Sequence, residues 1–284
     1  MATKTEVEAY QSVIDGLSTV AFGQIKALLQ SLDTPNPIVF RDALMVTYPE
    51  LMMPFMASAS DVAAEWYTTL RAGAGTVGSF APVLADPLPV ANMQAGLSRS
   101  LAPLFRPQEF IGSQVLALLA GYSQKIIATA GRNTIHDSVM ADPVRVGFAR
   151  IPRADCCSFC GLLASRGAVY RSEASATGVV GAGVDASVTA GKVGGQGKGV
   201  KARGSRSLGS DGYHDHCRCV AAPIFQGADN SYANYTEKHF TSLYENASSG
   251  TLSEYSRRDP LNPQYDAISA KETLAAWRQA NGTK

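Results

Sequence analysis

The chain has 284 residues, 45% hydrophobic and 17% charged, with 25 basic side chains against 24 acidic ones for a formal net charge of +1. This length suits one or two domains with a sizeable core, and the charge balance leaves no overall field steering the chain toward nucleic acid or anionic lipid. The longest apolar run, Val115 to Gly121, is too short for a membrane span, and Met1-Ala-Thr-Lys-Thr-Glu6 lacks the basic-then-apolar layout of a signal peptide, so a membrane protein, a secreted precursor and a strongly basic DNA binder are not expected.

Residues 6–32 carry Tyr10, Ile14, Leu17, Ala21, Ile25, Leu28 and Leu32 at spacings of three and four, which predicts one amphipathic helix. Pro35 and Pro37 stop it. A second helical stretch runs from about Ile38 to Arg71, with Pro49 and Pro54 predicting a kink or a break into two helices. Gly73, Gly75 and the prolines at 82, 87 and 89 then mark a turn region. Helical pattern resumes at about Asn92–Leu104, breaks at Pro107 and returns for roughly Glu109–Met140. From Val144 the texture changes. Val144 to Ile151 alternates apolar and polar residues as a strand does, and 168–171 and 220–225 offer two more short strands.

Between Ser172 and Gly212 the chain is rich in Gly and Ser with almost no large apolar side chains, the composition of a flexible insertion. Lys192, Lys198, Lys201, Arg203 and Arg206 make that insertion locally basic, a weak pointer to a partner with acidic surface or phosphates. The tail beyond Gly227 is polar, with a helix expected over Ala270–Ala280. The fold class expected is α+β, mostly α: a helical N-terminal domain over 1–143, a small zinc-knuckle α+β module over 144–227 with its insertion at 172–212, and a C-terminal tail over 228–284 with one helix.

Four of the five cysteines form two tight pairs far apart in sequence. The first is Cys157-Ser-Phe-Cys160, with Cys156 beside it. The second is His214-Asp-His-Cys217-Arg-Cys219. A CxxC turn presents two thiolates to one centre, and zinc takes four such ligands in a tetrahedron. The metal candidates are therefore Cys157, Cys160, His214, Cys217 and Cys219, more than four positions require. Cys156 reads as a bystander, and His216 competes less well than His214 for reaching back across the turn. Closing the long loop between the clusters costs only a few kcal/mol, whereas structural zinc contributes on the order of 10–16 kcal/mol in small domains. A disulfide between the pairs, or reduced structural cysteines, are the alternatives.

Catalytic signatures are weaker. A helical HExxH pair and the HxE…PCxxC arrangement of zinc deaminases are both missing. Cysteine-rich ligation favours a closed, inert site. There is no GxSxG elbow. The glycines of 181–186 and 191–198 lack the spacing and context of nucleotide-binding loops. His136 and His239 are isolated and read as helix-surface or cap residues.

The segment Asp155-Cys-Cys-Ser-Phe-Cys-Gly-Leu-Leu-Ala-Ser-Arg-Gly-Ala-Val-Tyr170, followed at a distance by Tyr213-His-Asp-His-Cys-Arg-Cys219, resembles the MuF-like minor capsid proteins of tailed phages, the actinobacterial-phage branch above all. That family pattern is a CxxC helix start, a short strand, a variable insertion and an HxxCRC knuckle leading into a strand. Cys157 and Cys160 match its first pair; His214, Cys217, Arg218 and Cys219 match the second. The specific match covers about 145–225, and the helical half with Ala64-Glu-Trp-Tyr67 fits more loosely. The resemblance implies a non-enzymatic, low-copy virion component acting in head morphogenesis. Such a protein is assembled in the host cytoplasm and binds portal or major capsid protein, with neither a membrane nor a small-molecule substrate as partner. It also implies an association with DNA at ejection, while structural zinc is the expectation from the cysteine pairs themselves. One alternative is a zinc-stabilised binder of packaged DNA acting through the basic insertion. The other is a thiol- or metal-dependent hydrolase.

Overall fold

The computed structural model describes residues 2–32, 34–105, 111–153, 156, 160–161, 164–165, 217–228, 230–233 and 235–243. Helix α1 (Lys4–Ser31) begins with a capping box, in which the Thr3 hydroxyl accepts from the Glu6 N–H and the Glu6 carboxylate accepts from the Thr3 N–H. Its expected apolar face is the face it buries: Tyr10, Ile14, Ala21 and Ile25 are in the core, with Leu17, Leu28 and Leu32 packed against it.

Helix α2 (Pro37–Gly73) is capped by Asn36, whose side-chain oxygen accepts from the N–H groups of Ile38 and Val39. It runs as one helix through Pro49 and Pro54 and is not broken in two. A proline in a helix interior costs about 3 kcal/mol through its missing N–H and its clash with the preceding turn. Pro49 is itself buried, as are Leu44, Tyr48, Met52, Met56 and Ala59 around the two prolines. The apolar area they remove from water outweighs the local penalty.

Helix α3 (Val90–Leu101) continues into a short 3-10 turn over Ala102–Phe105, and α4 (Ile111–Ala141) then packs against α2, α1 and α3 as the spine of the bundle. Two close approaches depend on glycine. A Cβ on Gly96 of α3 would run into the ring of Tyr122 on α4, and one on Gly131 would meet the Tyr10 hydroxyl at 2.6 Å and the Ala59 carbonyl at 3.3 Å. The second approach seats α4 on α1 and α2 one residue before Arg132.

Strands β1 (Val146–Ile151) and β2 (Val220–Phe225) pair antiparallel, with Val146 opposite Phe225 and Ile151 opposite Val220. The sheet does not carry a solvated polar face: Phe148, Ala149, Arg150 and Ile151 are buried in succession, as are Val220 to Pro223. Phe148, Ile151, Val220 and Phe225 belong to the same apolar core as the helices, and α4 contacts both strands. Past the sheet, residues 231–233 and 235–243 are helical, an element missed in a tail that reads as polar. No helix among the described residues is long and apolar enough to cross a membrane. The expected strand at 168–171, the insertion at 172–212 and the expected helix at 270–280 lie outside the described residues.

Candidate metal centre

Three of the predicted ligands meet. The sulfurs of Cys160, Cys217 and Cys219 lie within 4.8 Å of one another, and all three residues are buried. Cys160 is helical and follows the end of β1 by a short stretch, while Cys217 and Cys219 lead directly into β2. The pairing of the two strands therefore brings both cysteine-bearing segments to the same end of the sheet, beside Ile151 and Val220. In an extended chain, residues two apart face the same side. Cys217 and Cys219 are accordingly buried together while the intervening Arg218 is exposed.

The spacing suits a tetrahedral ion. Zinc–sulfur bonds of about 2.3 Å place two sulfur ligands about 3.8 Å apart, and Cys160 Sγ stands 3.6 Å from Cys217 Sγ. A disulfide requires about 2.05 Å, and no disulfide joins any two of Cys156, Cys160, Cys217 and Cys219. The cluster could hold a metal ion, with Cys160, Cys217 and Cys219 as three of its ligands.

The surroundings act on the two thiols of the second segment in opposite directions. Hydrogen bonding from Cys160 and then Cys219, helped by the positive charges of Arg132 and Arg150, holds the Cys217 thiol well below its ordinary range against the opposing effect of burial. Burial pushes the Cys219 thiol up, and the neighbouring Cys217 adds to the rise. A divalent cation bound to these sulfurs would favour their thiolate form.

Two arginines that the sequence reading did not single out frame the cluster. Arg150 of β1 donates from Nη2 toward Cys160 Sγ at 3.5 Å and Cys217 Sγ at 3.4 Å. Arg132 of α4 donates from Nε to the Cys219 carbonyl at 2.8 Å and from Nη2 to the Cys217 carbonyl at 2.9 Å. Arg132 is 85 residues from Cys217 in sequence, so no local spacing could reveal it. The placement of Arg150 in a strand just ahead of the CxxC was the one available signal.

Cys156 is half-buried beside this group and is not one of the three converging sulfurs. Cys157, His214 and His216 lie outside the described residues, as do Lys192, Lys198, Lys201, Arg203 and Arg206. His136 sits on α4 with its ring edge-on to Phe148 and Nδ1 3.1 Å from Asp137 Oδ1. His239 stacks on Tyr235. Neither belongs to the sulfur cluster.

No curated protein and no solved structure matches the chain. A family model described as VG15 protein matches residues 1–247.

Proposed function

The chain belongs to the VG15 protein family, which is phage-related, and from that premise we propose that it is a non-enzymatic minor capsid protein of the MuF-like type, a virion component bound to portal or major capsid protein and stabilised by structural zinc. The observation that carries this reading is the meeting of Cys160 with Cys217 and Cys219 at one end of the sheet, across 57 residues of sequence between the first two. An ion held there ties the start and the end of a long insertion to the helical body, as a docking module requires. All three sulfurs are buried, which suits a closed structural site better than one with a position open to substrate. Cys157 and His214 are the residues available to complete a tetrahedron.

Elemental analysis of the purified chain and mass spectrometry of purified particles test this reading. One zinc per chain is expected, with the chain present in intact heads and retained with portal after the heads are disrupted. A chain abundant in infected cells but missing from particles would overturn the capsid assignment. A chain carrying no metal would overturn the zinc.

A further inference from the structure

The two buried arginines call for an explanation that packing alone does not supply. Arg150 is 2% exposed and Arg132 is 3% exposed, and a guanidinium withdrawn from water this far is costly unless it meets negative charge or strong acceptors. Arg132 meets the carbonyls of Cys217 and Cys219, and so fixes the backbone of the turn that carries both thiols. Arg150 reaches the sulfurs themselves, one from each of the two remote segments. A divalent ion with three thiolates carries a net charge of −1, and with four it carries −2. In a buried site such a complex needs a nearby cation.

We propose that Arg150 is a positioning residue of the metal centre: its guanidinium bridges the sulfurs of Cys160 and Cys217 and balances the negative charge of a sulfur-rich zinc complex, so that the site selects thiolate ligation and holds its ion tightly. This rests on the metal reading given above and adds a residue and a charge requirement to it. Strand pairing makes the bridge possible. Arg150 lies opposite Ala221, two residues beyond Cys219, so the ladder that aligns β1 with β2 also sets the guanidinium against the thiols.

The test compares the full chain as wild type, Arg150→Lys and Arg150→Met. Zinc affinity is read by competition with a chromophoric chelator, ligation by the spectrum of the cobalt-substituted protein, and metal-free stability by unfolding in excess chelator. Wild type is expected to bind one ion. Arg150→Met should lose about 10- to 100-fold in affinity, the range for partners of metal ligands, with a shifted sulfur-to-cobalt charge-transfer band, and Arg150→Lys should recover part of both. If Arg150→Met lowers only metal-free stability, with affinity and spectrum unchanged, Arg150 is a packing residue and the proposal falls while the metal centre stands. If wild type binds no ion, the metal reading falls and takes the proposal with it. Should Arg150→Met fail to fold, Arg150→Lys decides: a guanidinium bridging two sulfurs is not replaced in full by a single ammonium, so wild-type affinity and spectrum in that variant would overturn the proposal.

Discussion

Arg71, in the last turn of α2, and Asp142, the first residue after α4, form a two-point buried ion pair, with Nε 2.8 Å from Oδ2 and Nη2 3.3 Å from Oδ1. Tyr67, one turn earlier on α2, donates its hydroxyl to the same Oδ2 at 2.9 Å, and the Val144 N–H donates to Oδ1 at 3.0 Å. Arg71 Nη1 also reaches the Gly78 carbonyl at 2.7 Å. One carboxylate therefore joins α2, the loop that follows it and the passage from α4 into β1. Burial pushes the Asp142 carboxyl up, but the hydrogen bonds from Arg71, Val144 and Tyr67 outweigh it and hold the group below its usual value.

The sign of the pH dependence follows. A carboxyl whose folded pKa lies below its unfolded value of about 3.9 stabilises the fold above that value and loses the contribution as pH falls through the folded one. Asp142→Asn should therefore unfold in urea at lower concentration than wild type at neutral pH, with a loss of about 3 kcal/mol from leaving the Arg71 charge buried without its partner. The gap between the two proteins should narrow below about pH 4. A gap that is constant with pH would remove the ion pair as its cause.

Thr134 and Ser138, one turn apart on α4 and both fully buried, hold the proline-punctuated segment between α2 and α3 in place. Ser138 Oγ accepts from the Val83 N–H at 3.0 Å, and Thr134 Oγ1 accepts from the Ala85 N–H at 3.1 Å. Thr134→Val and Ser138→Ala each remove the acceptor of a part-buried backbone N–H, for about 0.5–1.5 kcal/mol apiece. Limited proteolysis should show faster cleavage between residues 79 and 89 in the double variant. Unchanged cleavage there would mean that the prolines hold the segment without help.

Pro54 is exposed on α2, so its replacement removes no buried contact and restores a helical N–H. Pro54→Ala is expected to stabilise the chain by about 1–3 kcal/mol and to raise Tm. A lower Tm would show that a distortion at Pro54 is built into the packing of α2.

Cys219→Ser should abolish stoichiometric metal, and Cys156→Ser should leave it at one ion per chain, both read by elemental analysis after dialysis. Chelation of the wild type should lower its Tm and expose Cys160, Cys217 and Cys219 to alkylation. A Cys156→Ser protein without metal would place Cys156 among the ligands.

The apolar stripe of α1 was legible because helix periodicity is written in neighbouring residues: Tyr10, Ile14, Ala21 and Ile25 sit where their spacing puts them. The continuity of α2 was not legible. Proline marks a local penalty, and nothing nearby in sequence reports that Tyr48, Met52 and Met56 would be buried around it. The helical residues 231–233 and 235–243 escaped for the opposite reason, since Ala233 and Phe240 are their only buried apolar side chains. In β1, alternation identified a strand but not that Arg150 would face inward, because the partner that accepts its charge comes from other parts of the chain.

Side-chain chemistry and short-range spacing by themselves determined that this is a mostly helical chain with two cysteine-bearing turns of ligand type. Only the tertiary structure decided that Cys160, Cys217 and Cys219 are the described thiols that meet, and that Arg132 and Arg150 enclose them. Ligand identity is a property of single residues and their immediate neighbours, whereas a buried charge finds its counter-charge through strand pairing and helix packing, which join residues that sequence distance keeps apart.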